Sequence, residues 1–254
     1  MIPPQVPAGP WTRVLIFGHG VGQDQDAKSI GMFCMAVLDS SDEAASAGLA
    51  RLTLARTLVA RMTHDLGSPL GTLVGMLEML GNGTKDENAE MLEIARQAAG
   101  DLRSRLALQR AAWGGGGEPA DRAGLMALLA GSAAAQRVGF SLAGPLFDLA
   151  VPAGLVPLVL NAALLAAEAL PRGGTVTASG SDRELVLLPE GRNVAWPAAV
   201  VAALSGRAAV PLEGGPRQVL APLLLALAAE QRFDVSLMPG AGPGLPALHL
   251  TSRS

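Results

Sequence analysis

The chain has 254 residues, half of them apolar, and a net charge of −3. This length suits one large or two modest domains, and the interspersed charges lack the basic stripe with aromatic partners that typifies nucleic-acid binding. Tyrosine is absent and aromatic residues are only 3% of the chain, so alanine and leucine must fill the core, which favours helices. The single cysteine, Cys34, excludes an internal disulfide and fits a reducing cytoplasm. The three histidines, His19, His64 and His249, have no zinc-site spacing.

Residues 1–40 are predicted to be an extension outside the folded domains. Two interpretations stay open: a disordered or loosely docked segment, or a start codon placed too early, with Met32 or Met35 as the true beginning. The glycine-rich run at 18–22 lacks the third glycine of a dinucleotide fingerprint, because Gln23 stands in its place. We therefore expect no nucleotide site in this region.

Residues 41–80 are predicted to form one long helix. Its apolar residues recur every three or four positions, namely Leu52, Ala55, Val59, Met62, Leu66, Leu70, Leu73, Leu77 and Leu80. The run 81–84, Gly-Asn-Gly-Thr, ends this helix and turns the chain. A second helix with its own apolar stripe follows over residues 86–113, and the glycines at 114–117 end it.

Residues 41–114 would thus form a helical hairpin. Two antiparallel helices alone bury too little apolar surface to be stable. We therefore expect two copies of the hairpin to pair into a four-helix bundle, which makes the protein a homodimer.

His64 lies off the apolar stripe, on a face of small residues. Ala60, Gly67, Ser68 and Gly71 are its neighbours one turn away, although each glycine inside a helix costs about 1 kcal/mol relative to alanine. Two interpretations are open. The bare face exposes a nucleophilic imidazole to another protein, or it serves close helix packing and His64 is an ordinary surface residue.

Two further residues favour the first interpretation. Pro69 has no N–H, so the carbonyl of Asp65 loses its helical partner and we expect a bend just past His64. The run His-Asp-x-x-Ser-Pro resembles the phospho-acceptor box of two-component histidine kinases. Residues 58–80 are most similar to the first helix of the alphaproteobacterial histidine phosphotransferase family ChpT.

This resemblance implies that His64 accepts a phosphoryl group and that Asp65 orients the ring and holds the proton on its other nitrogen. Adjacent helix residues do not point the same way, so the role of Asp65 rests on the family, and a solvated surface acid is the alternative. Arg61 would steady the phosphate or be an ordinary exposed arginine. Ser68 would bond a helix carbonyl or touch the partner. The predicted receiver-docking or supporting residues are Arg61, Gly67, Ser68, Pro69 and Gly71.

The glycines at 114–117 are interpreted as a hinge. After them, the pattern of residues 118–254 predicts an α/β sandwich, with one helical layer on a mostly antiparallel sheet. The stretch 151–170 contains two prolines, Asn161 and Glu168, so we interpret it as a buried helix and not a membrane span. Residues 1–10 lack the features of a signal peptide, and we expect a cytoplasmic protein. The predicted helices cover residues 121–136, 153–170, 197–204 and 217–231, and the predicted strands cover 138–142, 175–179, 184–188, 233–237 and 247–250.

This order of elements resembles the ATP-binding (Bergerat-type) domain that follows the hairpin in histidine kinases. Residues 158–174 look like its N-box helix and the Gly-Gly turn after it, and the stretch Glu-Ala-Leu-Pro-Arg-Gly-Gly at 168–174 is the most specific part. The fold class we predict is therefore α plus α/β, a dimerising hairpin followed by a degenerate ATPase-like sandwich.

The nucleotide-binding residues of such domains are missing. Leu165 stands where kinases have the asparagine that holds magnesium, and Pro189 where an aspartate binds adenine. Only Gly-Gly-Pro at 214–216 precedes the next helix, with no phosphate-binding nest. The glycine-rich run at 240–244 lies between two late strands, where we predict a hairpin loop. The sequence predicts no ATP binding, no cofactor and no metal of its own.

The family therefore implies a phosphorelay. His64 would take the phosphoryl group from the receiver aspartate of a hybrid histidine kinase (CckA-like) and pass it to the receivers of response regulators (CtrA-like and CpdR-like). Imidazole is a competent nucleophile near neutral pH because its unperturbed pKa is about 6.5. Magnesium would come with the receiver. Two rival functions stay open: an ATP-dependent autokinase with a divergent nucleotide site, and a non-catalytic dimeric adaptor that binds receivers.

Overall fold

A computed structural model of the protein describes residues 26–115, 117–204, 215, 218–238 and 246–253. The chain divides into two compact units, residues 1–49 and 50–254, and every contact discussed below lies within the second. The glycine run at 18–22 and the loop at 240–244 lie outside the described residues.

Two long helices open the described chain, α1 (Asp26–Met79) and α2 (Lys85–Trp113). Thr84 caps α2 through a reciprocal capping box, because its hydroxyl accepts from the amide N–H of Glu87 while the Glu87 carboxylate accepts from the Thr84 N–H. Arg105 of α2 donates a hydrogen bond to the carbonyl of Asp65 in α1. This bond joins the two helices that follow one another across the turn at residues 80–84.

The start of α1 differs from the prediction. The helix begins at Asp26 and not at residue 41, so residues 26–40, which we assigned to the extension, are helical. This segment contains no proline and continues the alanine, methionine and leucine content of the hairpin, which favours helix.

The second half of the chain contains the predicted elements with shifted ends. Its helices are α3 (Arg122–Ala130), α4 (Val156–Glu168), α5 (Ala198–Leu204) and α6 (Leu220–Glu230), and its strands are β1 (Val138–Ala143), β2 (Gly174–Gly180), β3 (Glu184–Gly191), β4 (Phe233–Met238) and β5 (Ala247–Ser252). The prediction for α3 was too long. At Gly131 the backbone lies so close to the carbonyl of Ser104 in α2 that a side chain has no room, and the helix ends there.

The five strands form one mixed sheet in the order β1-β2-β3-β5-β4. β1 and β2 are parallel, which requires the crossover through α4, and the other pairs are antiparallel. Leu185 and Leu187 of β3, with Leu248 and Leu250 of β5, are buried beneath the helical layer. The predicted α plus α/β fold is confirmed.

α4 is the centre of this core. It contacts the sheet on one side and α2, α3 and α6 on the others, so nearly all its residues are buried. This explains its continuous apolar composition without a bilayer, and no helix in the described part of the chain is long and apolar enough to cross a membrane.

Candidate functional site

Pro69 leaves one carbonyl of α1 without its donor within the helix, and a side chain of α2 supplies another donor. Proline removes the N–H that the carbonyl of Asp65 would accept from within the helix. Arg105 donates to this carbonyl instead, through one nitrogen of its guanidinium. Pro69 itself is buried, and α1 continues through it to Met79. The turn that carries His64 is therefore fixed to the second helix.

The His64 ring is exposed but oriented. Its side chain is 65% exposed, and Nδ1 lies 3.1 Å from Oδ1 of Asp65, whose side chain is only 16% exposed. An ionised carboxylate only accepts hydrogen bonds, so this contact assigns the ring proton to Nδ1 and leaves the lone pair on Nε2. The structure thus brings together the two residues that we predicted to be catalytic, although they are neighbours on one helix.

Arg61 holds the second oxygen of Asp65. Its Nε lies 2.8 Å from Asp65 Oδ2, and its Nη1 lies 2.9 Å from Oε1 of Glu168 at the end of α4. Burial by itself would lower the pKa of the Arg61 guanidinium, but the hydrogen bond and ion pair with Asp65, supported by Glu168, outweigh burial and raise the pKa. The alternative of an ordinary exposed arginine is wrong, because only 17% of this side chain is exposed.

Glu168 is the residue of this site that sequence reasoning missed. It belonged to the most family-specific stretch, but we gave it no role. The signal was present, because a carboxylate in an otherwise apolar, buried helix requires a partner. Its contact with Arg61 joins residues 107 positions apart, so a chain of contacts runs from the sandwich domain through Arg61 and Asp65 to His64.

The small-residue face beside His64 is open. Gly67, Ser68 and Gly71 are exposed, and a Cβ added at Gly67, Gly71 or Gly75 would meet no atom within 4 Å. Within the described chain, close helix packing does not explain these glycines. The carbonyl of Ser68 accepts a bond from the Thr72 hydroxyl at 3.2 Å.

Asn161, the N-box asparagine of the resemblance, has a structural task here. It is fully buried, accepts from Trp113 Nε1 at 2.8 Å, and donates to the carbonyls of Ala112 at 3.0 Å and Pro157 at 2.8 Å. These bonds join the end of α2 to α4 and occupy the polar atoms of the amide.

Replacing Asn161 with leucine should therefore destabilise the chain by about 3 kcal/mol, since Trp113 Nε1 and the Ala112 carbonyl both lose their partner. Urea unfolding measures this. Trp113→Phe should cost about 1–2 kcal/mol, and the double variant should cost less than the sum, because the two changes share one bond. Strictly additive losses would show that the bond does not join these helices.

Two other departures from the kinase pattern lie in described elements. Leu165 is buried in α4, and Pro189 is buried in β3 opposite Val176 of β2. Gly214 and Pro216 lie outside the described residues. Among the residues described, no group of histidine, cysteine, aspartate and glutamate side chains is arranged to hold a metal ion.

The chain is similar to known phosphotransferases. Residues 122–241 match the family of histidine phosphotransferase C-terminal domains. Protein phosphotransferase ChpT of Brucella abortus (strain 2308) is 29% identical over 200 residues, covering 74% of this chain and 91% of that protein. The solved structure of a bacterial phosphotransferase is 26% identical to this chain, with a TM-score of 0.64. The match covers 78% of this chain and 96% of the chain in that structure. These matches support the predicted resemblance of the chain to the ChpT family of histidine phosphotransferases.

Proposed function

We propose that this protein is the histidine phosphotransferase of a two-component phosphorelay, with His64 as the carrier of the phosphoryl group. The observation that supports this most directly is the His64 ring, whose Nδ1 is occupied by Asp65 at 3.1 Å while most of the side chain faces solvent. An oriented imidazole with a free Nε2 lone pair is what nucleophilic attack on phosphorus requires.

In the transfer step, Nε2 of His64 attacks the phosphorus of a receiver phosphoaspartate. The N–P bond forms as the P–O bond breaks, and the aspartate leaves as a carboxylate. The Nδ1 proton stays on the ring, so the phosphorylated imidazole carries a positive charge that the Asp65 carboxylate stabilises. A second receiver reverses the step and takes the phosphoryl group onto its own aspartate.

The donor in this proposal is the receiver domain of a hybrid histidine kinase (CckA-like), and the acceptors are the receivers of response regulators (CtrA-like and CpdR-like) of the cell-cycle type, in the cytoplasm. These partners follow from the family. The receiver brings the magnesium ion, whose charge neutralises the phosphoryl oxygens.

The open glycine face supports receiver docking. Gly67→Ala should stabilise the chain by about 1 kcal/mol, because alanine is the better helix former and its methyl group meets nothing. The same methyl group should slow transfer about tenfold, since it lies on the surface that the receiver approaches. Urea unfolding and single-turnover transfer rates measure the two effects.

Gly100→Ala is the matched control for this variant. Gly100 is a helical glycine of α2 with equally free space around it. It should give the same stabilisation with an unchanged transfer rate. Equal rates for both variants would argue against docking on the Gly67 face.

A second copy of the chain fits the exposed apolar stripe of the hairpin. Val59, Leu70, Val74 and Leu77 of α1 are each 45–60% exposed, which is much apolar surface for one pair of helices. We propose that two hairpins bury these residues in a four-helix bundle.

Leu77→Glu should therefore weaken the dimer by roughly 100-fold or more, because each dimer would bury two carboxylates. Light scattering after gel filtration should give twice the mass of one chain for the unaltered protein and the mass of one chain for the variant at micromolar concentration. Leu149→Glu, at an exposed leucine outside the hairpin, should leave the dimer intact. A monomeric unaltered protein would refute the bundle.

The experiment that tests the function mixes the purified protein with a phosphorylated receiver. Label should move to His64 and then to a second, unlabelled receiver, and it should be acid-labile as phosphohistidine is. The autokinase rival requires labelling directly from ATP. Absence of label beside every charged receiver, with receiver binding retained, would instead support the adaptor.

A further inference from the structure

Arg105 lies on the buried face of α2, where an apolar residue is expected. The other three arginines of this helix, at positions 96, 103 and 110, are exposed. Buried and half-buried residues follow one another along α2 at steps of three and four, namely Ala95, Ala98, Leu102, Arg105, Gln109 and Ala112. Such a stripe is the face by which a helix packs against the rest of the protein, so a charged residue within it requires a reason.

An ion pair is not the reason. Among the residues that the structure describes, no carboxylate forms an ion pair with Arg105, and Arg61 is the arginine that binds Asp65 and Glu168. A half-buried charge without a counter-ion is costly, and a single bond to a neutral carbonyl offsets only part of that cost. An apolar residue would suit this face of α2 better, so stability does not explain the arginine.

The acceptor of Arg105 explains its position. Its Nη1 donates to the carbonyl oxygen of Asp65, and this is the carbonyl that Pro69 leaves without a helical donor. A helix is free to bend where such a bond is missing. The bond from Arg105 joins residues 40 positions apart, so the backbone of Asp65 is held from a second helix.

This bond acts on the residue that orients His64. Oδ1 of Asp65 lies 3.1 Å from Nδ1 of His64, and Oδ2 lies 2.8 Å from Nε of Arg61. Asp65 is thus held at its carboxylate by Arg61 and at its backbone by Arg105. A shift of the backbone at Asp65 would carry the Cβ atom with it and move the carboxylate away from Nδ1.

We propose that Arg105 is a positioning residue of the transfer reaction. It replaces the backbone donor that Pro69 lacks, keeps the Asp65 carboxylate on Nδ1 of His64, and so keeps the Nε2 lone pair available for attack. Arg105 acts through Asp65, without contact to the phosphoryl group or the receiver. This role rests on the proposed function, since it concerns the same imidazole.

Arg105→Leu and Pro69→Ala, alone and together, test this role. Leucine removes the donor and suits the buried face of α2, so the variant should fold. Pro69→Ala gives the Asp65 carbonyl a helical N–H again, and alanine is the better helix former. With that donor restored, Arg105 should become dispensable. Single-turnover transfer measures the loss caused by Arg105→Leu within each background, so any effect of Pro69→Ala itself cancels.

We expect Arg105→Leu to slow transfer about tenfold when Pro69 is present, because the ring loses its fixed orientation. In the Pro69→Ala background the same change should cost less than about twofold. An equal loss in both backgrounds would overturn the proposal, because Arg105 would then act on the phosphoryl group or the receiver directly. No loss in the presence of Pro69 would overturn it as well.

Arg103→Leu is the matched control. Arg103 lies two positions earlier on α2 and is exposed. This variant removes the same charge from the same helix but leaves the bond to Asp65 intact, so it should transfer at the rate of the unaltered protein. A loss equal to that of Arg105→Leu would show that the rate follows the net charge of α2 and not this bond.

The ¹⁵N chemical shifts of the His64 ring give a readout that does not depend on transfer. In Arg105→Leu, the share of rings with the proton on Nδ1 should fall, whereas the same change in the Pro69→Ala background should leave that share unaltered. A lower Tm with an unchanged share would show a purely structural role and overturn the proposal. If the unaltered protein transferred no phosphoryl group, the proposed function would fail, and the ring tautomer would still test whether Arg105 positions Asp65.

Discussion

Replacing His64 with glutamine should abolish phosphoryl transfer in both directions, with a loss of at least about 10³-fold in the single-turnover rate. Glutamine retains the size and polarity of the side chain and can still reach Asp65. Its amide nitrogen, however, has no available lone pair with which to attack phosphorus. The measurement is the transfer of label from a phosphorylated receiver to this chain, and the variant should remain unlabelled.

His249→Gln is the matched control for this loss. His249 lies on β5 with Nε2 2.7 Å from Glu184 Oε1, on the sheet and not on the hairpin. It should transfer at the rate of the unaltered protein. Label on the His64→Gln variant would place the phosphoryl group on another residue.

The same variant distinguishes the relay function from the adaptor function. Receiver binding, measured without transfer, should change little in His64→Gln, since the docking face around Gly67 is intact. If the biological activity of the protein survived this substitution, binding alone would account for it, and the relay would be wrong.

The two long helices and the succession of strands along the chain were predictable because each depends on a local sequence pattern. Apolar residues every three or four positions define α1 and α2, and glycine-rich turns separate the later strands. Element ends were less predictable. α3 ends at Ala130, and Gly131 caps it with its backbone against the carbonyl of Ser104. That contact joins distant segments, so the sequence does not show it.

In the candidate site, too, local patterns were predictable and contacts between distant segments were not. His64 and Asp65 follow from a contiguous motif. Glu168 does not, because its pairing with Arg61 joins two helices that the chain order separates. Asn161 shows a further limit, since the resemblance places it in the N-box helix of an ATP-binding domain, whereas its amide binds Trp113, Ala112 and Pro157. A motif identifies the residue, and only packing reveals its partner.

Replacing Asp65 with asparagine should slow transfer by roughly 10²-fold to 10³-fold, the range in which positioned proton-holding groups contribute. The neutral amide stabilises the positively charged phosphoimidazolium less. Its nitrogen can also donate to Nδ1, which would move the ring proton to Nε2 and block the nucleophile. Single-turnover rates test the first effect, and ¹⁵N chemical shifts of the His64 ring, which report the tautomer, test the second.

Glu168→Gln should give a smaller loss, about tenfold, because the charged partner that holds Arg61 becomes neutral while the Arg61–Asp65 pair remains. Asp148→Asn is the control, since it removes a carboxylate from the exposed pair with Arg122 outside the site. That variant should leave both the rate and the His64 tautomer unchanged.

The double variant of Asp65→Asn and Glu168→Gln shows whether the contacts act in sequence. If Glu168 influences His64 only through Arg61 and Asp65, its removal adds nothing once Asp65 has lost its charge, and the double variant should transfer at the rate of Asp65→Asn alone. Losses that multiply would mean that Glu168 acts by a separate route, such as direct contact with the receiver. In that case the sandwich domain would not position the phospho-acceptor through these contacts.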